Sequence, residues 1–236
     1  MTYKELEFLK ANRNLTVDEI IKHFEAPVKK NYSNRTEHTV CGRYHREDGP
    51  AVEWTNGLKH WYKHGKLHRE DGPAIENING DQQWYINGKL HRTDGPAKDC
   101  GNGTSFHVLE WYINGKQHRE DGPAYIRNNN ELQQWCINGK IHRTDGPAVE
   151  YKDGAKYWYI NGKRHRIDGP AVESAKGEIE WWANGLKHRI DGPAVKTMHT
   201  TEWWVNGELH REDGPAIEWK HGGEEWYIKG VIVAPF

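Results

Sequence analysis

Eight histidines, eight arginines and eight aspartates recur in one fixed phrase, HRxDGPA, with its histidine at positions 45, 68, 91, 118, 142, 165, 188 and 210. Imidazole beside carboxylate is the pairing of acid–base and metal chemistry. The spacing argues against both. If each copy contributes two strands, equivalent residues in neighbouring copies lie about 10 Å apart, too far to share a zinc ion whose ligand bonds are near 2 Å. Within one copy, His91 and Asp94 supply only two ligands. Catalysis needs a unique set of nucleophile, base and orienting group, whereas every candidate here recurs in eight copies. No glycine-rich phosphate cradle is present. The expectation is therefore a protein that is not an enzyme, with no catalytic residue, metal or cofactor. A structural role fits the phrase better: Asp94, beside His91 and Arg92, and Asp168, beside His165 and Arg166, precede Gly-Pro. There they can accept turn amides or pair with the arginine or histidine, holding a loop rigid.

A second phrase of the type WYxNGK places tryptophan at 61, 84, 111, 135, 158, 181, 203 and 226. The chain is thus a repeat array, and His165 to His188 gives its period, 23 residues. The distance from the glycine of this phrase to the next histidine is three residues in each copy, as from Gly65 to His68 and from Gly207 to His210. The distance from the proline of DGPA to the next tryptophan varies, from 10 (Pro193 to Trp203) to 15 (Pro96 to Trp111). The joined phrases are one fixed piece, followed by a turn that tolerates insertion. Lys152-Asp153-Gly154 and Asn79-Gly80-Asp81 are such turns.

Each copy reads as two strands, one through Ala148–Tyr151 and one through Tyr157–Ile160, joined beyond Ile160 by a single NGKxHRxDG loop. The predicted fold is an all-β repeat array over 37–236, an elongated, twisted antiparallel sheet of hairpins, behind a helical segment at 1–36 that caps its first edge. In that segment Leu6 and Leu9 suggest one short helix. Thr16-Val17-Asp18-Glu19 resembles a capping box leading into Val17, Ile20, Ile21 and Phe24 at helical spacing. Alternation puts Trp158 and Ile160 on a packed face, to which Val52, Ile75, Val149, Val172, Val195 and Ile217 are assigned. The opposite face then carries Tyr62, Tyr85, Tyr112, Tyr159, Trp182, Trp204 and Tyr227 beside glutamates such as Glu150 and Glu173. Aromatics not needed for packing are enriched at interfaces, so these are the candidate binding residues.

Composition narrows the partner. Net charge is −1 and the pI about 7.0, so no field recruits double-stranded nucleic acid or an anionic membrane. Mean hydropathy is −1.01, and no apolar stretch is long enough to span a bilayer. Three cysteines, Cys41, Cys100 and Cys136, lack metal-type spacing and suit a reducing cytoplasm.

The stretch YWYINGKRHRIDGPAVEYKDG resembles the MORN repeat, with its aromatic strand, its glycine loop carrying a basic residue, and its second strand and turn. The resemblance covers residues 38–236 and is closer to the bacterial MORN-like variant. It departs at HRxDGPA, which replaces the family's looser glycine pattern. Arrays with this signature also resemble proteins of large tailed phages. The resemblance implies a protein partner in the host cell, with the chain acting in the host cytoplasm as an inhibitor of a defence or regulatory protein. Two other expectations remain open: a sponge for a nucleotide-type signal, whose ligand would be a small molecule, and a structural or self-assembling element.

Overall fold

The computed structural model describes residues 7, 10–12, 14, 16, 26–101 and 103–234. Contacts gather into two units, residues 1–91 and 92–236, each built on an antiparallel meander. In the first unit, Val28–Asn31, Arg35–Val40, Val52–Trp54, Lys59–His60, Ile75–Glu76 and Gln82–Gln83 pair in that order. In the second, the same succession runs from Lys98–Cys100 to Glu224–Ile228.

The meander begins earlier than the sequence suggested. Val28–Asn31 and the first two residues of Arg35–Val40 lie inside the 1–36 segment assigned to helix, and Tyr32 N–H closes their turn on Arg35 O at 2.8 Å. The alternation in Arg-Thr-Glu-His-Thr-Val, with its β-branched residues, suits a strand. The apolar positions of the expected helical cap, Leu6, Leu9, Val17, Ile20, Ile21 and Phe24, lie outside the described residues.

One copy shows how the others are made. Val149–Tyr151 and Lys156–Tyr157 pair across Lys152-Asp153-Gly154, where Gly154 has a φ of 98° that a side chain would disfavour. Trp158 N–H then donates to Ala171 O at 2.9 Å. Beyond it the chain folds into a separate two-stranded ladder, Tyr159–Ile160 with Lys163–Arg164. Asn161 and Gly162 have φ of 52° and 81°, the two left-handed residues of a type I′ turn, whose twist matches that of the strands it joins. This corrects the reading of two strands and one long loop. The copy has four short strands in two ladders, because Asn-Gly turns the chain immediately after Ile160.

Neighbouring copies are joined by a recurring set of main-chain bonds. Trp135 N–H donates to Ala148 O (2.8 Å), Arg143 N–H to Tyr159 O (3.1 Å) and Gly162 N–H to Ile141 O (2.8 Å). The core is thin. Its most buried residues are the alanines of DGPA, Ala51, Ala74, Ala97, Ala124, Ala148, Ala171, Ala194 and Ala216, all at 0% exposure, with valines such as Val52 and Val195 beside them. The tryptophans at 61, 84, 111, 135, 158, 181, 203 and 226 are half-buried.

Register also corrects the face assignment. Val149 and Val172 both pair with Tyr157, Val52 and Ile75 with His60, Val195 with Glu180, and Ile217 with Glu202. Each of these partners immediately precedes a tryptophan, and cross-strand partners share a face. The valines and isoleucines therefore lie on the face opposite the tryptophans, and Glu150 and Glu173 fall on the tryptophan face. Alternation fixed the two faces within each strand, but the pairing offset between strands decides which faces coincide.

Candidate functional site

The HRxDGPA loop is built around its arginine. The Arg166 guanidinium lies 4.0 Å from the Trp158 ring centroid, and the same stack recurs for Arg69 on Trp61, Arg119 on Trp111, Arg143 on Trp135, Arg189 on Trp181 and Arg211 on Trp203 at 3.9 to 4.2 Å. Three bonds fix its edge: Nε donates to Asp168 (3.1 Å), and Nη1 to Pro170 O (3.2 Å) and Glu173 (2.8 Å). Arg92 pairs likewise with Asp94 at 2.8 Å and with Pro96 O at 3.2 Å. The far face of the guanidinium is covered by glycine. A Cβ on Gly169 would sit 2.7 Å from Arg166 Cζ, closer than side-chain atoms pack. Planar, delocalised and weakly hydrated, arginine suits this slot as lysine would not.

The histidine stitches one copy to the next. His142, His165 and His188 accept, through Nδ1, the backbone N–H of Asn161, Asn184 and Asn206 at 3.0 to 3.1 Å. An accepting Nδ1 places the proton of a neutral ring on Nε2. His91 lies at the end of the first unit, its N–H donating to Trp84 O at 3.0 Å.

Each aspartate projects outward. Beside their arginines, Asp48, Asp71, Asp94, Asp121, Asp145, Asp168, Asp191 and Asp213 are held below the usual carboxylate range. Their side chains are nevertheless 79 to 86% exposed. Next to each stands the variable residue of the phrase: Glu47, Glu70, Thr93, Glu120, Thr144, Ile167, Ile190 or Glu212. Ile167 and Ile190 are 87% and 82% exposed. Between successive loops runs a groove. One, of about 680 Å³, has Trp203 and Val205 at its base and Asp191, Glu212 and Asp213 among its lining; another has Trp111 and Ile113 between Asp94 and Asp121.

The aromatic residues read from sequence as binding groups are half-buried and already partnered within the protein. Tyr85 donates to Gln83 (3.0 Å), Tyr112 to Glu110 (2.9 Å), Trp182 Nε1 to Glu180 (2.8 Å), Trp204 Nε1 to Glu202 (2.8 Å) and Tyr227 to Glu225 (2.9 Å). Tyr62 packs on Tyr44, and the Tyr159 hydroxyl accepts from Arg164. Burial and the Glu110 carboxylate push the Tyr112 hydroxyl up to about 12. Glu150 and Glu173 lie elsewhere, bonded to Arg143 and Arg166. The structure therefore does not bring the tyrosines and these glutamates onto one surface. Sequence reasoning missed the exposed variable position, although the signal was present: one residue changes inside a phrase whose other six are fixed.

Among the described residues, no three histidine, cysteine or acidic side chains are grouped to hold a metal ion, and no helix is long and apolar enough to cross a membrane. Compared with known protein families and with curated proteins, the chain matches none.

Proposed function

We propose that the chain is a non-enzymatic scaffold that binds a protein along its HRxDG loops. The observation that carries this reading is a locked loop repeated with one solvent-facing residue varied, in the company of exposed aspartates. A rigid frame lowers the entropy lost on association, and variation at a displayed position sets which partner fits. The grooves offer an apolar base to an inserted side chain, and their carboxylates favour a partner that brings lysine or arginine. A host-cell protein, inhibited by a phage-encoded chain, is the partner suggested by the sequence resemblance. The loop arginines that a nucleotide sponge would need for phosphate are already engaged with Asp and a carbonyl oxygen, and Arg69, Arg143, Arg166 and Arg211 with Glu as well, which favours the protein reading.

The test is affinity purification from host lysate with wild type and with an Ile167→Glu/Ile190→Glu variant. Stoichiometric recovery by wild type and loss by the variant supports the reading. No stoichiometric protein with wild type, or equal recovery by both, removes it.

A further inference from the structure

The first described strand of unit 1–91 and the last long strand of unit 92–236 differ in kind. Val28–Asn31 pairs with Arg35–Val40, and among the described residues no strand lies on its outer side. In the last strand, Glu224 and Glu225 pair with Ile217-Glu218 while Trp226 to Ile228 pair with Val231–Val233, so among the described residues only Glu224 and Glu225 have no strand on their outer side. Sheet edges of this sort present unpaired main-chain groups to another chain.

The repeat's own register shows that these edges are complementary. Inside the array, the residue before each tryptophan lies opposite the valine position of the following copy, as Gln134 lies opposite Val149 and Gln133 opposite Glu150. In the last copy those two positions are Glu225 and Glu224. In the first strand they are Lys30 and Asn31, because Lys30 faces Glu37 as Val149 faces Tyr157, and Asn31 faces Thr36 as Glu150 faces Lys156. The main chain agrees: Glu225 O accepts from Ala216 on the inner side, so alternation turns the main-chain groups of Glu224 to the outside. His38 N–H donates to Ala51 O, away from the first strand. Its partner Lys29 therefore turns its main-chain groups outward, and so does Asn31 two residues on.

We propose that copies of this chain join head to tail, Glu224-Glu225 of one molecule pairing with Val28–Asn31 of a second and placing Glu225 opposite Lys30. The same two residue types already meet across the strands within one hairpin, though not between copies. Lys98 occupies a valine position opposite Glu110, its Nζ 2.8 Å from Oε1 while the Tyr112 hydroxyl holds Oε2. At the end of the array the Tyr227 hydroxyl donates to Glu225 Oε2 at 2.9 Å, and the other carboxylate oxygen is the one offered to Lys30. Lysine on one edge and glutamate on the other also disfavour pairing of like edges, since like charges directly opposite repel.

Sedimentation velocity over a wide concentration range at low ionic strength tests this, independently of any partner at the loops. The expected result is a weight-average mass that climbs beyond twice the 27.5 kDa of one chain. Lys30→Glu or Glu225→Lys alone should hold the mass at the monomer, with unchanged circular dichroism, and the two together should restore assembly. Wild type that stays monomeric at the highest concentration, assembly indifferent to either reversal, or a double variant that stays monomeric would each overturn the proposal.

Discussion

The guanidinium of Arg166 is held between the Trp158 indole, 4.0 Å from its centroid, and the Cα of Gly169. This sandwich links the aromatic phrase to the HRxDGPA phrase. Both partners are needed, so Trp158→Ala should destabilise the array by about 3 kcal/mol, the lower end for a large aromatic because the ring is half-buried. Arg166→Lys keeps the charge but loses the stack and the fork of donors, and should cost about 1 to 2 kcal/mol. Urea denaturation followed by tryptophan fluorescence measures both. A lysine variant as stable as wild type would mean that the stack adds little.

Glycine at 169 is required for space and not for its backbone. Gly169→Ala drives a Cβ into the guanidinium and should cost about 1 to 3 kcal/mol. Gly177→Ala is the contrast: nothing lies within 4 Å of its Cβ, but φ is +82°, so the cost, about 1 kcal/mol, is backbone strain. The two differ in a double variant. Arg166→Ala should remove most of the penalty at 169 and none of that at 177, and a thermodynamic cycle reads the difference.

How much of this was legible in the sequence depends on the kind of interaction. The period, the turns at Lys152-Asp153-Gly154 and Asn79-Gly80-Asp81 and the β character of each copy follow from local residue preferences, and the turns stand where expected. The second ladder of each copy was signalled by Asn-Gly but absorbed into a loop. The position of Val149 relative to Trp158 depends on a pairing offset that neither strand encodes alone, and this misassigned the faces. Tyr112 then proved to be committed to Glu110, whose carboxylate also accepts from Gln117. The aspartates were assigned to the loop from their place before Gly-Pro, but the arginine's stack on tryptophan joins residues eight positions apart in chain, as 158 and 166, and no local preference reports it.

Acid should loosen every loop together. The aspartates have folded-state values below those of the unfolded chain because of their arginines. Stability from such groups is present above the ordinary Asp value, about 4, and is lost as pH falls through the lower folded value. Melting temperature measured downward from neutral pH should therefore fall below about pH 4, and Asp168→Asn should lose part of that dependence. Tyr112 works in the opposite direction. Its hydroxyl is raised to about 12, so its contribution is present below the unfolded value near 10 and is lost as pH rises from there towards 12. Ultraviolet titration should show tyrosine ionisation, Tyr112 included, still in progress as pH approaches 12. A melting temperature that stays level into acid would show that the Arg–Asp pairs contribute nothing measurable.

The histidine contacts are assigned by geometry and can be read by NMR. With Nδ1 accepting from the next copy's turn, His142, His165 and His188 should show the Nε2–H tautomer at neutral pH in ¹⁵N spectra. Replacing His165 with alanine leaves Asn184 N–H without its acceptor and should cost about 1 to 2 kcal/mol. An Nδ1–H tautomer at these positions would contradict the stitch between copies.

The exposed isoleucines separate binding from folding. Ile167 and Ile190 occupy the one varied position of their loops, and both stand almost free of the protein, so burial gives no reason for an apolar residue there. Ile167→Glu and Ile190→Glu should leave stability within about 0.5 kcal/mol of wild type, as expected for surface changes that touch no packed group. Each glutamate restores the residue that Glu70 and Glu120 already carry in other copies, so the loop accepts it. If the loops are the interface, the same variants should weaken partner binding at least tenfold, about 1.4 kcal/mol, in titration calorimetry. Unchanged affinity in the double variant would move the interface off these loops, while a large loss of stability would show that the isoleucines pack on something.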